Sequence, residues 1–242
     1  MNDYRLQPYA HQLVGIDALA KRDDPATGRV VPGVFLLGDD MGMGKCKMVI
    51  DTGCTLYSLG EVNRIIVVCP APVRSVWFEP ELGELAKHLR HSVPSRVFEY
   101  HAKLRTWDFG PPGDTRLKWI VVNYEYLRGA EHLDRLLMIA DKKTWLVLDE
   151  SSAVKNSQAQ QTKACMKLRA KCGRVTLLNG TPISQSPLDL FSQSLMMSPA
   201  ILDCKYITQF KARYAIQVPV KTAGGHVLRD PRAVSYTHLR AH

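Results

Sequence analysis

Val34–Phe35–Leu36–Leu37–Gly38–Asp39–Asp40–Met41–Gly42–Met43–Gly44–Lys45–Cys46 sets four continuously apolar residues ahead of a glycine-containing turn, with a helical pattern following over 44–57. A strand, a turn and a helix start converge backbone N–H groups on one point. The aligned peptide dipoles there favour an anion. Lys45 adds a positive charge suited to the β and γ phosphate oxygens of a nucleotide, and Met41, Gly42, Met43 and Gly44 supply the loop backbone. The usual phosphate-loop pattern is broken twice. Asp39 stands at the first glycine position, and Cys46 stands where a Ser or Thr hydroxyl would face a metal ion.

The same kind of strand recurs along the chain. Ile65–Ile66–Val67–Val68, Ile120–Val121–Val122, Leu146–Val147–Leu148 and Val175–Thr176–Leu177–Leu178 are short runs rich in β-branched and aliphatic residues. Such runs suit strands covered on both faces of a parallel sheet. Helical patterns fall between them at about 9–21, 73–88, 126–138, 157–171 and 187–197, so the expected fold is α/β, a single doubly wound domain. Residues 105–118, with Gly110–Pro111–Pro112–Gly113, read as a loop or insertion.

Composition narrows the class. The chain has 242 residues, 45% hydrophobic and 23% charged, which excludes a disordered chain. Its net charge of +9 suits a polyanionic partner without identifying one. Six cysteines include no C-x-x-C pair, arguing against a zinc ribbon and for a reducing compartment. No run approaches the ~20 apolar residues of a membrane span, and the polar start lacks a signal peptide's apolar core. A soluble, cytoplasmic protein without a membrane partner is expected. Lys163, Lys167 and Lys171 form a basic helix stripe, which is ordinarily a solvated face.

Leu146–Val147–Leu148–Asp149–Glu150 ends a buried strand in two acids, where ligands of α/β sheets bind. Asp149 can hold Mg²⁺ and Glu150 can polarise a water molecule. In isolation the pair would serve equally as a helix cap with a first-turn acid.

Taken together, several segments resemble the Swi/Snf-like superfamily 2 helicases and translocases, of a phage or prokaryotic type. Asp40–Met41–Gly42–Met43–Gly44–Lys45 is similar to their motif I. Asp149–Glu150–Ser151–Ser152–Ala153–Val154–Lys155–Asn156 is similar to motif II, and Leu178–Asn179–Gly180–Thr181–Pro182–Ile183 to motif III. Leu6–Gln7–Pro8–Tyr9–Ala10–His11–Gln12 resembles the adenine-reading Q motif. Val68–Cys69–Pro70–Ala71–Pro72 with Trp77 resembles motif Ia, and Val122–Asn123–Tyr124–Glu125 the segment after it.

The resemblance implies a RecA-like fold over residues 1–215, with ATP and Mg²⁺ as cofactors and nucleic acid, first of all double-stranded DNA, as partner. Gln12 would read the adenine, and Met41, Gly42, Met43, Gly44, Lys45 and Cys46 would hold the phosphates. Asp149 would hold the metal, with Cys46 a poor second ligand because a thiol is soft. Glu150, Lys45 and Asp149 would carry catalysis. Gly180, Thr181 and Pro182 would couple nucleotide state to the track, and Pro70, Arg74, Asn123 and Tyr124 would touch its phosphates. Residues 216–232 would begin a linker to a second RecA-like domain that this chain lacks, together with its arginine finger, worth about 10³–10⁵ in rate. Residues 233–242 continue no earlier pattern and read as translated sequencing adapter. The host cytoplasm would be the location of a phage-encoded version. Two other readings compete: a nucleotide- or DNA-binding module that never hydrolyses, and another P-loop ATPase such as a packaging motor. The second does not predict a Gly–Thr–Pro after the acids.

Overall fold

In chain order the main strands are β1 (Val34–Leu37), β2 (Arg64–Cys69), β3 (Ser95–Glu99), β4 (Leu117–Asn123), β5 (Thr144–Leu148) and β6 (Arg174–Leu178). They stand side by side as β1-β6-β5-β2-β4-β3, every ladder parallel. The computed structural model describes residues 3–21, 34–111, 113–181, 188–198, 201–202, 204, 206–219 and 234–239.

The chain steps outward from β1 to β3 and then back from β4 to β6. Because crossovers between parallel strands are right-handed, the reversal sends the helices to opposite faces. One face carries α1 (Ala10–Ala20), α2 (Lys45–Ser58), α3 (Arg74–Phe78) and α4 (Glu84–His88). The other carries α5 (Ala130–Ile139), α6 (Gln160–Lys171) and α7 (Asp189–Met197). Strand side chains alternate between the two cores. Ile65, Val67, Trp119, Val121, Trp145 and Val147 join the first, and Ile66, Val68, Ile120, Val122, Leu146 and Leu148 the second. This is the physical reason for their continuously apolar sequence.

Several expectations change in detail. Strand β3 was not foreseen, since Ser95–Arg96–Val97–Phe98–Glu99 is a half-buried edge strand without an apolar run. The helix expected over 73–88 is two short ones. Glu79 precedes Pro80 and sits at φ −52, ψ 130, off the helical region that a following proline disfavours. The pattern at 126–138 likewise begins as a 3-10 turn, Tyr126–Arg128, and becomes α5 only after Gly129. Within 105–118, Thr106–Phe109 form a 3-10 turn that buries Phe109 against Tyr100. A further helix, α8 (Ile207–Tyr214), packs Phe210 on Phe191. It leads into β7 (Ala215–Pro219), which pairs antiparallel with β8 (Val234–Leu239). The segment read as foreign therefore carries a strand, paired apart from the main sheet. Residues 220–233, where most of the linker was expected, lie outside the described residues.

Two contacts fix the phosphate-loop helix. Lys47 donates to the Leu6 carbonyl at 2.7 Å and to Asp51 Oδ2 at 2.7 Å, while Arg90 lies over the Tyr4 ring, so the N-terminal segment is tied down on α2. On the sheet side, a Cβ on Gly53 would stand 2.6 Å from Ile65 Cδ1 and 3.0 Å from Trp119. Glycine there lets α2 approach the strands closely. Gly53→Val should cost about 1–3 kcal/mol by overpacking, read as a lower urea midpoint at an unchanged slope. An unchanged midpoint would show that α2 has room to spare.

Candidate nucleotide and metal site

The phosphate loop leaves the C-terminal end of β1, and the two acids leave that of β5. Only β6 separates them, and two strand spacings are about 9.5 Å. Lys45 opens α2 and turns its ammonium back into the loop, donating to the carbonyls of Asp39 at 2.7 Å and Asp40 at 2.9 Å. Gly42 and Gly44 take φ of +83° and +78°, and a Cβ on Gly42 would meet nothing within 4 Å. The loop is thus an open concave backbone with a cation at its centre. That arrangement fits a polyphosphate.

Gln12 is buried against this loop. It receives the Tyr9 N–H on Oε1 at 3.1 Å and donates from Nε2 to the Met43 carbonyl at 3.2 Å, where His11 also bonds at 3.1 Å. Its Nε2 would lie 2.3 Å from a Cβ on Gly44. The adenine-reading assignment gains no free amide here. Gln12 instead braces the loop from α1. Met41, at 70% exposed, stands at the mouth, and its Cγ would be 3.0 Å from a Cβ on Gly180. Motif III therefore abuts the phosphate loop. Thr181 is exposed, its N–H donating to Asn179 Oδ1 at 2.9 Å, and Pro182 lies outside the described residues.

Asp149 is buried, and each carboxylate oxygen has one donor: Trp77 Nε1 to Oδ2 at 2.7 Å and the Glu150 N–H to Oδ1 at 3.0 Å. Burial, with the adjoining Glu150 charge, raises its pKa, while the Trp77 and Glu150 hydrogen bonds and the Lys45 ammonium pull the other way. The loop that carries Lys45 and the strand end that carries Asp149 leave the same edge of the sheet, with β6 between their strands. Hard oxygen donors beside a phosphate cradle fit Mg²⁺. Glu150 is half-buried at φ 50°, the one non-glycine with positive φ among the described residues. Such strain persists only where neighbours over-determine the backbone. Here the Tyr124 hydroxyl donates to the Asp149 carbonyl at 2.9 Å, and the Ser151 hydroxyl donates to Gln193 Oε1 of α7 at 2.8 Å.

Two assignments need correction. Tyr124 is 2% exposed, and its hydroxyl is spent on Asp149, so it braces the acidic turn rather than touching a nucleic-acid phosphate. Asn123 beside it is also buried, and its Oδ1 accepts from the Tyr126 N–H at 3.0 Å, capping the turn. Tyr124 is packed into the core that α5 and α6 form on their face of the sheet. Cys46 lies against the core, and burial, then the charges of Asp149 and Glu84, push its thiol well up. A neutral thiol is a wall of the site and not a ligand for a hard cation. Pro70 and Arg74 remain partly accessible, with Arg74 Nη2 2.8 Å from Glu99 Oε1.

Trp77 and Ser151 stand in the segments that resemble motifs Ia and II but carried no role of their own, and Gln193 lies outside those segments. An indole inside a short helix and a glutamine inside another carry no local sign of their partners. A cavity of about 360 Å³ opens at the opposite sheet edge, beneath β5 and β6, but its cations are occupied. Arg169 donates to the Met197 carbonyl, Lys142 to that of Ala170 and Arg174 to that of Leu19.

Comparison with known proteins follows the same outline. Residues 11–226 match the SNF2-related domain. The chain is 26% identical over 183 residues to the Drosophila melanogaster SWI/SNF-related matrix-associated actin-dependent regulator of chromatin subfamily A-like protein 1, covering 75% of this chain and 21% of the relative. It is 28% identical over 162 residues to the Mus musculus helicase-like transcription factor, covering 65% of this chain and 14% of that protein. The chain therefore spans only 21% and 14% of the length of these two relatives. Among solved structures it is similar to the Sulfolobus solfataricus SWI2/SNF2 ATPase core in complex with dsDNA. That likeness has a TM-score of 0.67 at 25% identity and covers 88% of this chain and 40% of the other. With a parallel α/β sheet, a glycine-containing loop after β1 and a carboxylate pair after β5 in the matched region, this chain belongs to the SNF2-related domain family.

Proposed function

We propose that the chain is the N-terminal, ATP-binding half of a DNA-dependent ATPase of the helicase or translocase type, completed by a second RecA-like domain reached through residues 216–232. The observation that carries this is that the loop bearing Lys45 follows β1 and Asp149 follows β5, two strands apart on one edge of the sheet. The dsDNA bound to the Sulfolobus ATPase core supports DNA as the partner.

The residues divide the work. Lys45 exchanges two neutral carbonyl acceptors for charged phosphate oxygens, which accept stronger hydrogen bonds. Backbone N–H groups at the start of α2 face the same oxygens. Glu150, held in its strained turn by Tyr124 and Ser151 on either side, orients a water molecule towards the γ phosphorus and accepts its proton. Mg²⁺, when bound, neutralises phosphate charge, and Asp149 is the group placed to hold it. Gly180 against Met41 gives motif III a direct contact through which nucleotide state can reach it. Pro70 and Arg74, both partly accessible, are offered to the nucleic-acid backbone. A module that binds without hydrolysing is favoured by one observation, the thiol of Cys46 in the hydroxyl position after Lys45.

Titration of this chain with a fluorescent ATP analogue tests the cradle. Lys45→Ala should weaken binding about 10- to 100-fold, the worth of a charged hydrogen bond. Equal affinities would remove Lys45 from the site. In the protein carrying both ATPase lobes, Glu150→Gln should keep nucleotide affinity while DNA-stimulated turnover falls about 10²–10⁴-fold; undiminished turnover would sink the assigned role.

Tyr124→Phe separates bracing from nucleic-acid contact. Loss of one buried hydroxyl should cost about 1 kcal/mol of stability and slow turnover, with duplex DNA affinity unchanged. A weakened DNA affinity at equal nucleotide affinity would restore the contact role.

Cys46→Thr adds an oxygen donor where the thiol stands. In the two-lobed protein the Mg²⁺ concentration at half-maximal ATPase rate should fall. Superimposable Mg²⁺ curves would mean that another group already completes the metal shell.

A further inference from the structure

We propose that Trp77 is a positioning residue for the Asp149 carboxylate, and that its indole N–H links the nucleic-acid-facing segment 70–74 to the metal-binding group. The inference rests on the reading of Asp149 as the carboxylate that meets Mg²⁺.

The indole is fully buried, and Nε1 donates to Asp149 Oδ2 at 2.7 Å. An indole N–H can only donate, so its partner is fixed once the ring is packed. With the Glu150 N–H on the other oxygen at 3.0 Å, the carboxylate plane is held by one donor on each side, leaving a lone pair of each oxygen for a cation. The other buried indoles show that the fold does not require this bond. Trp145 donates to the neutral Thr176 hydroxyl at 3.1 Å, and Trp119 Nε1 has no hydrogen-bond partner. Trp107 is 73% exposed. Of the four tryptophans, Trp77 spends its N–H on a carboxylate, where a hydrogen bond is strongest.

Its place in the chain gives the bond a second meaning. Pro70 caps a 3-10 turn, Ala71–Val73, which runs without a break into α3, Arg74–Phe78. Ala71, Pro72, Ser75 and Val76 are exposed on this unit while Trp77 points inward. Arg74 is pinned beside it by Glu99 at 2.8 Å and lies over the Phe78 ring at 6.0 Å. A unit this short moves as one body. A backbone phosphate engaging residues 70–74 shifts the indole, and the indole shifts the carboxylate. The route is one hydrogen bond long, from the accessible end of β2 to the acidic end of β5.

The experiment uses ¹⁵N-labelled wild-type chain with its indole N–H resonances assigned. Mg²⁺ with ADP should move the Trp77 indole resonance, whereas ADP in EDTA should leave it in place, and a short DNA duplex should move it without nucleotide. A Trp77 resonance indifferent to Mg²⁺·ADP overturns the positioning role, and one indifferent to duplex overturns the link. Trp77→Phe keeps an aromatic ring, smaller than the indole, and removes the donor. Its ADP affinity in EDTA should match wild type, and the gain on adding Mg²⁺ should shrink about three- to tenfold. A lowered melting temperature with an unchanged Mg²⁺ gain would make Trp77 a packing residue only. Asp149→Ala separates the two levels: if it leaves the Mg²⁺ gain intact, the metal reading of Asp149 fails. If it abolishes that gain while Trp77→Phe does not, only the Trp77 proposal fails.

Discussion

Parallel pairing is the constraint from which the site follows. Parallel strands cannot be joined by tight turns, so every strand end on one edge of the sheet must release a loop that climbs into a crossover. All six strands here run the same way, and all their C-terminal ends share one edge. The phosphate loop after β1, the 70–74 segment after β2, the acids after β5 and Gly180 after β6 come together for that reason. Residues scattered over about 140 positions need no individual attraction to meet. The reversal at β3 does the rest by covering both faces, which dries the core and leaves the loops at the edge.

Within that edge the charged groups are held by contacts that can be exchanged. The Lys45 ammonium rests on two loop carbonyls and Asp149 on an indole and a backbone N–H, so each keeps capacity for a better partner. Around them the braces are firmer and buried: Gln12 under the loop, Tyr124 beneath the Asp149 carbonyl, Gln193 behind Ser151. The strained φ of Glu150 sits between two of these braces. The supporting groups thus come from α1, the turn after β4 and α7, on both sides of the sheet.

Much of this was legible in the sequence, and the reason is specific. Five of the six main strands show as apolar runs because they are sandwiched, and β3 was missed because an edge strand with one half-wetted face has no such run. Lys45, Asp149 and Glu150 could be singled out from sequence because their residue types stand shortly after the strand ends they follow. Tyr124 was misassigned because its sequence neighbourhood says only that it follows a strand. Which way its ring turns depends on the core of α5 and α6, which is assembled from distant residues. The helix over 73–88 was overextended although Pro80 marked the break.

By itself the sequence determined the α/β class, the phosphate loop, the acidic pair and their order along the chain, because each is written in local periodicity or in adjacent residue types. Only the tertiary structure decided that Gln12 braces the loop, that Cys46 packs against the core, that Tyr124 faces inward and that the Trp77 indole donates to Asp149. Those outcomes depend on burial and on partners as far as 72 residues away in the chain. A hydrogen bond between such residues is chosen by packing, and packing is a property of the whole sheet and its two layers of helices.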